Sequence, residues 1–303
     1  MWQLEPFVTI YAICSRLCRS AILTGGEDRM QSLALYEQKI ISDPEFPVQM
    51  HVNDVSSKTQ YFSPHWHEHI ELHYVREGHT LLDLNQREIY AGKGNLVIVN
   101  SNEIHSGYCD GTHMEVMVMI FEMEAFSKEL ADKNVIFKSL IEQDDKIDEI
   151  MSVIHEEFQE QKIGYRLVCK GKMLELIAHL VREYTVEFLT EKESDRRKKQ
   201  LERLNMVIDY IQMNYTRQIG NRELAEIVHL SEDRFNHLFK ESMGMAPLQY
   251  INEVRLKKAM NLLKKKEGTV TEVADSVGFG DYNHFGRQFR RYYGCAPSEV
   301  LRR

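Results

Sequence analysis

"FGRQFRRYYGCAP", residues 285–297, repeats in outline a phrase the chain has already used, "FNHLFKESMGMAP", residues 235–247. Phe235, Phe239, Gly244 and Pro247 recur as Phe285, Phe289, Gly294 and Pro297, each displaced by 50 residues. Matches of unlike residue types at a single offset are not an accident of composition. Two aromatics four apart share a helix face, a Gly five residues later supplies a left-handed C-cap, and a Pro three beyond it forbids continuation. Each phrase therefore predicts a short helix with a buried aromatic stripe and a hard stop.

Each predicted helix has a prelude. "NRELAEIVHL", 221–230, puts Leu224, Ile227 and Val228 on one face, with Asn221 expected to cap its start and Ser231 to cap the helix that follows. "TVTEVADSVGFGDYN", 269–283, does the same with Val273, Ala274 and Val277, with Thr271 as the expected cap and Gly278 at the turn. Two short helices joined by a tight turn, the second bearing polar outward residues, make a helix-turn-helix. The chain writes it twice. Between the copies, Leu248 to Lys266 carries Ile251, Val254, Leu256, Ala259, Leu262 and Leu263 at a period near 3.6, with Lys257, Lys258, Lys264, Lys265 and Lys266 off the stripe. One helix of that length holds the two units apart by roughly one turn of DNA, ~34 Å.

Charge separates the same region from the rest. From Arg196 onward there are 20 Lys and Arg against 13 Asp and Glu, a net of +7; residues 1–195 hold the remaining 18 against 33, a net of −15. A basic C-terminal third on an acidic body points that third at a polyanion. The seam is "EKESDRRKKQ", 191–200, which has no apolar residue and reads as an exposed linker or solvated helix end. The ordered set Leu224-Ala225, Phe235, Phe239-Lys240, Gly244, Pro247, Tyr250, Arg255-Leu256, Ala274, Gly278-Phe279, Phe285, Phe289-Arg290, Gly294 and Pro297 resembles the AraC-type transcription regulators over about the last hundred residues. It departs from them at Ala246, Ala296, His284 and Val300, all packing or capping positions. The resemblance implies double-stranded DNA as partner, and RNA polymerase as well if the regulator activates. The outward residues expected to meet DNA are Asp233, Arg234, Asn236, His237 and Lys240 on the first recognition helix, and Tyr282, Asn283, Arg287, Arg290 and Arg291 on the second. Asn236 suits adenine and Arg287 guanine, while Lys240, Arg290 and Arg291 suit phosphate.

The N-terminal body reads differently. "VQMHV", "HIELHYV", "HTLLDL", "LVIV" and "MEVMVMIF" are β-rich runs split by Gly, Asn and Asp, at the spacing of a sandwich or barrel. Within them "HWHEHIELHYVREG", 65–78, places His65, His67, His69, Glu71 and His73 on one side of an extended segment and Trp66, Ile70, Leu72 and Tyr74 on the other. His65-x-His67-x3-Glu71-x6-Gly78, then Gly94-x5-Asn100 and His105, resembles the two motifs of the cupin barrel, with Asn100 and Asn102 as departures in the second. The resemblance implies that His65, His67, Glu71 and His105 converge. Such a set accepts a small polar effector without metal, sugars and polyols being the class the family implies; it also suits a borderline ion such as iron, zinc or nickel. No cofactor is required by the first reading.

The expected fold is α+β: a cupin-like barrel over 30–122, a helical linker and dimerisation region over 123–190, and an all-α domain with two helix-turn-helix units over 198–303. In the helical region Ile147, Ile150, Met151, Ile154 and Phe158 form one stripe and Leu174, Ile177, Val181 and Tyr184 another. The resemblance implies a homodimer through these helices. Residues 1–29 fit neither domain, and Gly25-Gly26-Glu27, whose codons are purine-rich, sits just before Met30, so we expect Met30 to be the native start. Phe7 to Cys14 is far short of the ~20 residues of a membrane helix, and no signal peptide is evident. Cys14, Cys18, Cys109, Cys169 and Cys295 are scattered and odd in number, as expected of reduced thiols in a cytoplasmic protein. The expected function is a DNA-binding transcription regulator and not an enzyme; the alternatives are a metal-dependent cupin enzyme and a metal-sensing regulator.

Overall fold

In the computed structural model, which describes residues 35–41, 43 and 45–302, the chain forms two units, one ending at Glu202 and the other beginning at Arg203. The expected extension 1–29, the start at Met30, and Cys14 and Cys18 lie outside the described residues. Cys109, Cys169 and Cys295 are buried and outside any disulfide.

The first unit begins with eight strands: β1 (Val48–Val55), β2 (Lys58–His65), β3 (Ile70–Glu77), β4 (His79–Leu84), β5 (Arg87–Gly92), β6 (Leu96–Val99), β7 (His105–Asp110) and β8 (Met114–Phe121). With β10 (Leu140–Ile141) they make two antiparallel sheets, β1-β8-β3-β6-β10 and β2-β7-β4-β5. The cupin-like barrel is thus two sheets face to face. Strand alternation explains why β8 is apolar at nearly every position. Val116, Val118 and Ile120 join Val75, Leu82, Leu84, Val97 and Val99 in the core between the sheets. Met117, Met119 and Phe121 face the other way, into a second core shared with helices. A sheet buried on both faces needs continuous hydrophobic strands.

Those helices are α2 (Asp145–Glu160) and α3 (Tyr165–Glu183), after the one-turn α1 (Lys128–Ala131). Ile147, Ile150, Met151 and Ile154 are the buried stripe of α2. In α3 the buried stripe is Cys169, Met173, Leu176, Ile177 and Leu180. This corrects the expected Leu174 stripe, because Cys169 and Met173 are as apolar as leucine and carry the helix's inward face; Leu174 is 46% exposed. The region is also not helical throughout. The β-rich run Val135–Phe137 is a strand, β9, paired with β11 (Thr185–Phe188) after α3.

Residues 191–200 are not a loose linker but the first turns of a 24-residue helix, α4 (Glu191–Asn214), whose buried residues begin only at Leu201 and Leu204. Six helices follow: α5 (Asn221–Ile227), α6 (Glu232–Met243), α7 (Pro247–Lys264), α8 (Val270–Ser276), α9 (Tyr282–Tyr293) and α10 (Pro297–Arg302). Ser231 caps α6, its hydroxyl accepting from the Arg234 N–H, and Gly244 and Gly294 close α6 and α9 at φ 70° and 75°. Two expected caps move. Asn221 is the first residue of α5, behind Gly220. Thr269, not Thr271, caps α8, because only there does Glu272 stand three residues on to complete a reciprocal capping box.

The repeat is offset by 49 residues through the turn and by 50 after it. Leu230 N–H donates to Ala225 O and Phe279 N–H to Ala274 O, both at 3.0 Å. His229 (φ 54°) holds the left-handed position that Gly278 (φ 90°) holds in the second copy. Gly280 is the extra residue that shifts the register. The expected connecting helix is α7, ending at Lys264. The first unit packs on its N-terminal half, Phe239 against Tyr250 at 5.7 Å. The second packs on its C-terminal half, where Leu256, Ala259, Met260 and Leu263 meet Val273, Phe285 and Phe289.

Candidate functional site

The four residues singled out in the barrel come together. The ligand atoms of His65, His67, Glu71 and His105 lie within 4.8 Å of one another, and all but His65 are fully buried. His65 ends β2, His67 lies in the bend that follows, Glu71 is on β3 and His105 opens β7. The bend at residues 66–69 breaks the extended segment read from the sequence, and His69 leaves the set to face Glu122 at 3.0 Å. His73 stays on the inner face, its Nε2 2.8 Å from the other oxygen of Glu71. Gly107, on β7, makes room for Phe62, since a Cβ there would overlap the Phe62 and Tyr61 rings. Phe62 stacks on His73 and stands edge-on to His65 and His105.

Backbone carbonyls fix the imidazole tautomers. His65 Nδ1 is 2.8 Å from Ser63 O, His67 Nδ1 3.2 Å from His69 O and His105 Nδ1 2.9 Å from Glu103 O. A ring nitrogen facing a carbonyl oxygen carries the hydrogen, so each Nε2 is the atom left for the interior. His67 Nε2 lies 2.9 Å from Glu71 Oε2 and His105 Nε2 3.4 Å from the same oxygen. The Nε2 atoms of His65 and His105 are buried. Burial raises the Glu71 carboxyl, but the charge of His73 and hydrogen bonds from His105, His67 and His73 overcome it and hold it well below the ordinary range. Ring nitrogens and a carboxylate at these distances can share a proton or hold a metal ion between them.

The sequence reading missed a further partner of His65. Tyr36 bridges to Trp66, with Trp66 N–H donating to Leu35 O and Glu37 N–H to Trp66 O. This brings Glu37 Oε2 to 2.8 Å from His65 Nε2, and Lys39 Nζ to 2.9 Å from Glu37 Oε1. His65 and Lys39, against the upward push of burial, hold the Glu37 carboxyl at about 2. No periodicity in residues 35–41 marks Glu37, because one bridge does not need an alternating strand.

In the other unit, Phe235 and Phe239 on α6, and Phe285, Phe289 and Tyr293 on α9, are buried. The opposite faces are open. Asp233, Arg234, His237 and Lys240 are exposed on α6, and Asn236 is half-buried at the edge of the aromatic stripe. Tyr282, Asn283, Arg287, Arg290 and Arg291 are exposed on α9. The two faces differ in charge: α6 mixes Asp233 and Glu241 with its cations, whereas the exposed charges of α9 are all basic. Asp281, whose carboxylate accepts from the Asn283 and His284 N–H groups, fixes the start of α9. Arg255 on α7 is buried, its guanidinium donating to Tyr215 O at 2.7 Å and Arg217 O at 2.8 Å and lying over Phe279. It ties the segment before the first helix-turn-helix to the turn of the second. Among the described residues no helix is long and apolar enough to cross a membrane.

Residues 52–177 match the AraC-like ligand binding domain family and residues 224–303 match a helix-turn-helix domain family. The chain is 22% identical over 275 residues to the Msm operon regulatory protein of Streptococcus mutans, covering 89% of this chain and 97% of that one. It is 36% identical over 102 residues to the probable transcriptional regulator LumQ of Photobacterium leiognathi, 33% of this chain and 41% of that protein. It is 33% identical over 98 residues to the HTH-type transcriptional activator RhaS of Enterobacter, 32% of this chain and 35% of that one.

Proposed function

This chain belongs to the AraC-type transcription regulators with an N-terminal cupin-like domain, and we propose that it places both recognition helices in consecutive major grooves while a small polar molecule in the barrel sets that activity. The carrying observation is the pair of exposed polar faces, α6 and α9, packed at opposite ends of one helix, α7, whose 18 residues span about 27 Å. Arg287 reads a base, and Arg290 and Arg291 clamp phosphate. In the barrel, His65, His67, His105 and Glu71 offer donors and acceptors to the hydroxyls of a sugar or polyol.

A second reading of the sensor rests on a specific observation: three imidazole nitrogens converge with a carboxylate at the scale of one coordination sphere. The set fits a borderline divalent ion, held by the three Nε2 atoms and a Glu71 oxygen. A bound ion would supply fixed positive charge and tie β2, β3 and β7 together.

The homodimer is also a proposal, supported by α3. Leu167, Gly171, Leu174 and Ala178 follow one another at spacings of four, three and four, the seam of two paired helices, and Leu167 is 76% exposed.

The test selects the tightest duplex from a random library with the purified chain. Its footprint should shelter two adjacent major grooves, and Arg287→Ala should lose about 1–3 kcal/mol of discrimination at one base pair. Affinity that changes on chelation and returns with added ion supports the metal reading; affinity that changes with a sugar or polyol at constant metal content supports the first. A footprint of a single groove, or no selected duplex, refutes the proposal.

A further inference from the structure

The two recognition helices carry the same line of outward residues with one difference in sign. At the 50-residue offset, Asp233, His237 and Lys240 on α6 correspond to Asn283, Arg287 and Arg290 on α9. Positions i, i+4 and i+7 stand one above another on a helix, and all six residues are exposed. The buried pairs, Phe235 with Phe239 and Phe285 with Phe289, lie on the opposite side of each helix. Of the six side chains only the Asp233 carboxylate is negative. It is not needed to start the helix, because the Ser231 hydroxyl caps α6 and Glu232 already places an acidic group in the first turn. Among the described residues no cation pairs with it and no N–H donates to it. An unpaired carboxylate on a face that meets phosphates weakens attraction to every duplex, so any gain from it is confined to particular sequences.

We propose that Asp233 is a specificity-determining residue: its carboxylate accepts a hydrogen bond from the amino group of a cytosine in the major groove met by α6. Among the four bases only cytosine offers a carboxylate a donor with no acceptor beside it. Adenine sets N7 next to its amino group, guanine shows N7 and O6, and thymine shows O4 and a methyl group. At any other base the carboxylate is desolvated without a donor and faces the phosphates, so one group favours one sequence and rejects the rest. This role rests on the DNA-binding reading given above. It also divides labour between the copies: α9, with Arg287, Arg290 and Arg291 exposed, supplies attraction, and α6 supplies discrimination.

The experiment selects duplexes from a random library with the full-length chain, Asp233→Ala and Asp233→Asn, then measures each chain on the parent's duplex and its single-base variants. The parent should select cytosine at one position and lose about tenfold in affinity for each of the other three bases there. D233A should bind those four duplexes within about twofold of one another, and a scrambled duplex about threefold more tightly than the parent does. D233N, with an amide in place of the carboxylate, should no longer prefer cytosine to adenine at that position. All three chains should unfold within about 3 °C of one another in thermal melts, since the Ser231 cap and Glu232 remain. A parent and a D233A chain that select the same sequence at every position overturn the inference while leaving the DNA-binding reading in place. Equal losses for D233A on selected and scrambled duplexes also overturn it, by making Asp233 a structural residue. A parent chain that selects no duplex overturns the underlying reading and this one with it.

Discussion

Arg255 shows how one side chain sets the geometry of a reading head. Its guanidinium is buried without a carboxylate and satisfied by two carbonyls, those of Tyr215 and Arg217. A planar fork reaches both acceptors at once, and a lysine ammonium does not. Arg255→Ala removes the donor from two carbonyls and should cost about 2–4 kcal/mol in urea unfolding, with Arg255→Lys recovering only part. Equal stability of R255K and the parent would show that charge alone suffices there. The residue was visible in the sequence as part of the family pattern, but its partners were not, since 40 residues separate it from Tyr215. The barrel quartet was legible for the opposite reason: spacing within one short segment already delivered His65, His67 and Glu71. Glu37 and the turning away of His69 depended on a bend and a bridge that leave no periodic trace.

Among the elements, α2 and α3 are held at their ends by Asp144. Its carboxylate accepts from the Lys146 and Ile147 N–H groups, capping α2, and from His179 Nε2 at 2.8 Å near the end of α3 and Tyr184 Oη at 2.6 Å just after it. Burial pushes this carboxyl up, but Tyr184, His179 and the Ile147 N–H outweigh it and hold it at about 2, against an ordinary 3.8. A carboxyl depressed in the folded state lends stability that is complete above its ordinary value and is lost as pH falls through the folded one. Asp144→Asn should therefore lower stability by about 1–2 kcal/mol at neutral pH. The gap from the parent should close between pH 4 and pH 2 in a series of thermal melts; a gap independent of pH would remove Asp144 as the cause. The stops of the recognition helices were legible because Phe, Gly and Pro mark both the buried face and the end. The α3 stripe was misread because that helix carries apolar residues on two adjacent faces, between which periodicity does not choose, and the Asn221 and Thr271 caps because cap identity depends on backbone geometry.

For the molecule as a whole, the seam of Leu167, Gly171, Leu174 and Ala178 should keep two copies together in solution. Leu167→Asp combined with Leu174→Asp should turn a dimer into a monomer in sedimentation at micromolar concentration while leaving the circular dichroism spectrum unchanged. A parent chain that sediments as a monomer, with and without DNA, dismisses the dimer. The α+β organisation could be read from charge and periodicity, because a basic helical third and an acidic β-rich body differ in every local statistic. The facing of two sheets could not, since strand order is a property of long-range pairing. The two copies of the repeat are alike inside and unlike outside: α6 shows Glu232, Asp233 and His237 where α9 shows Tyr282, Asn283 and Arg287. Joined in fixed order by α7, they give the protein a front and a back. A target site turned end for end would then be a different site for one copy of this chain.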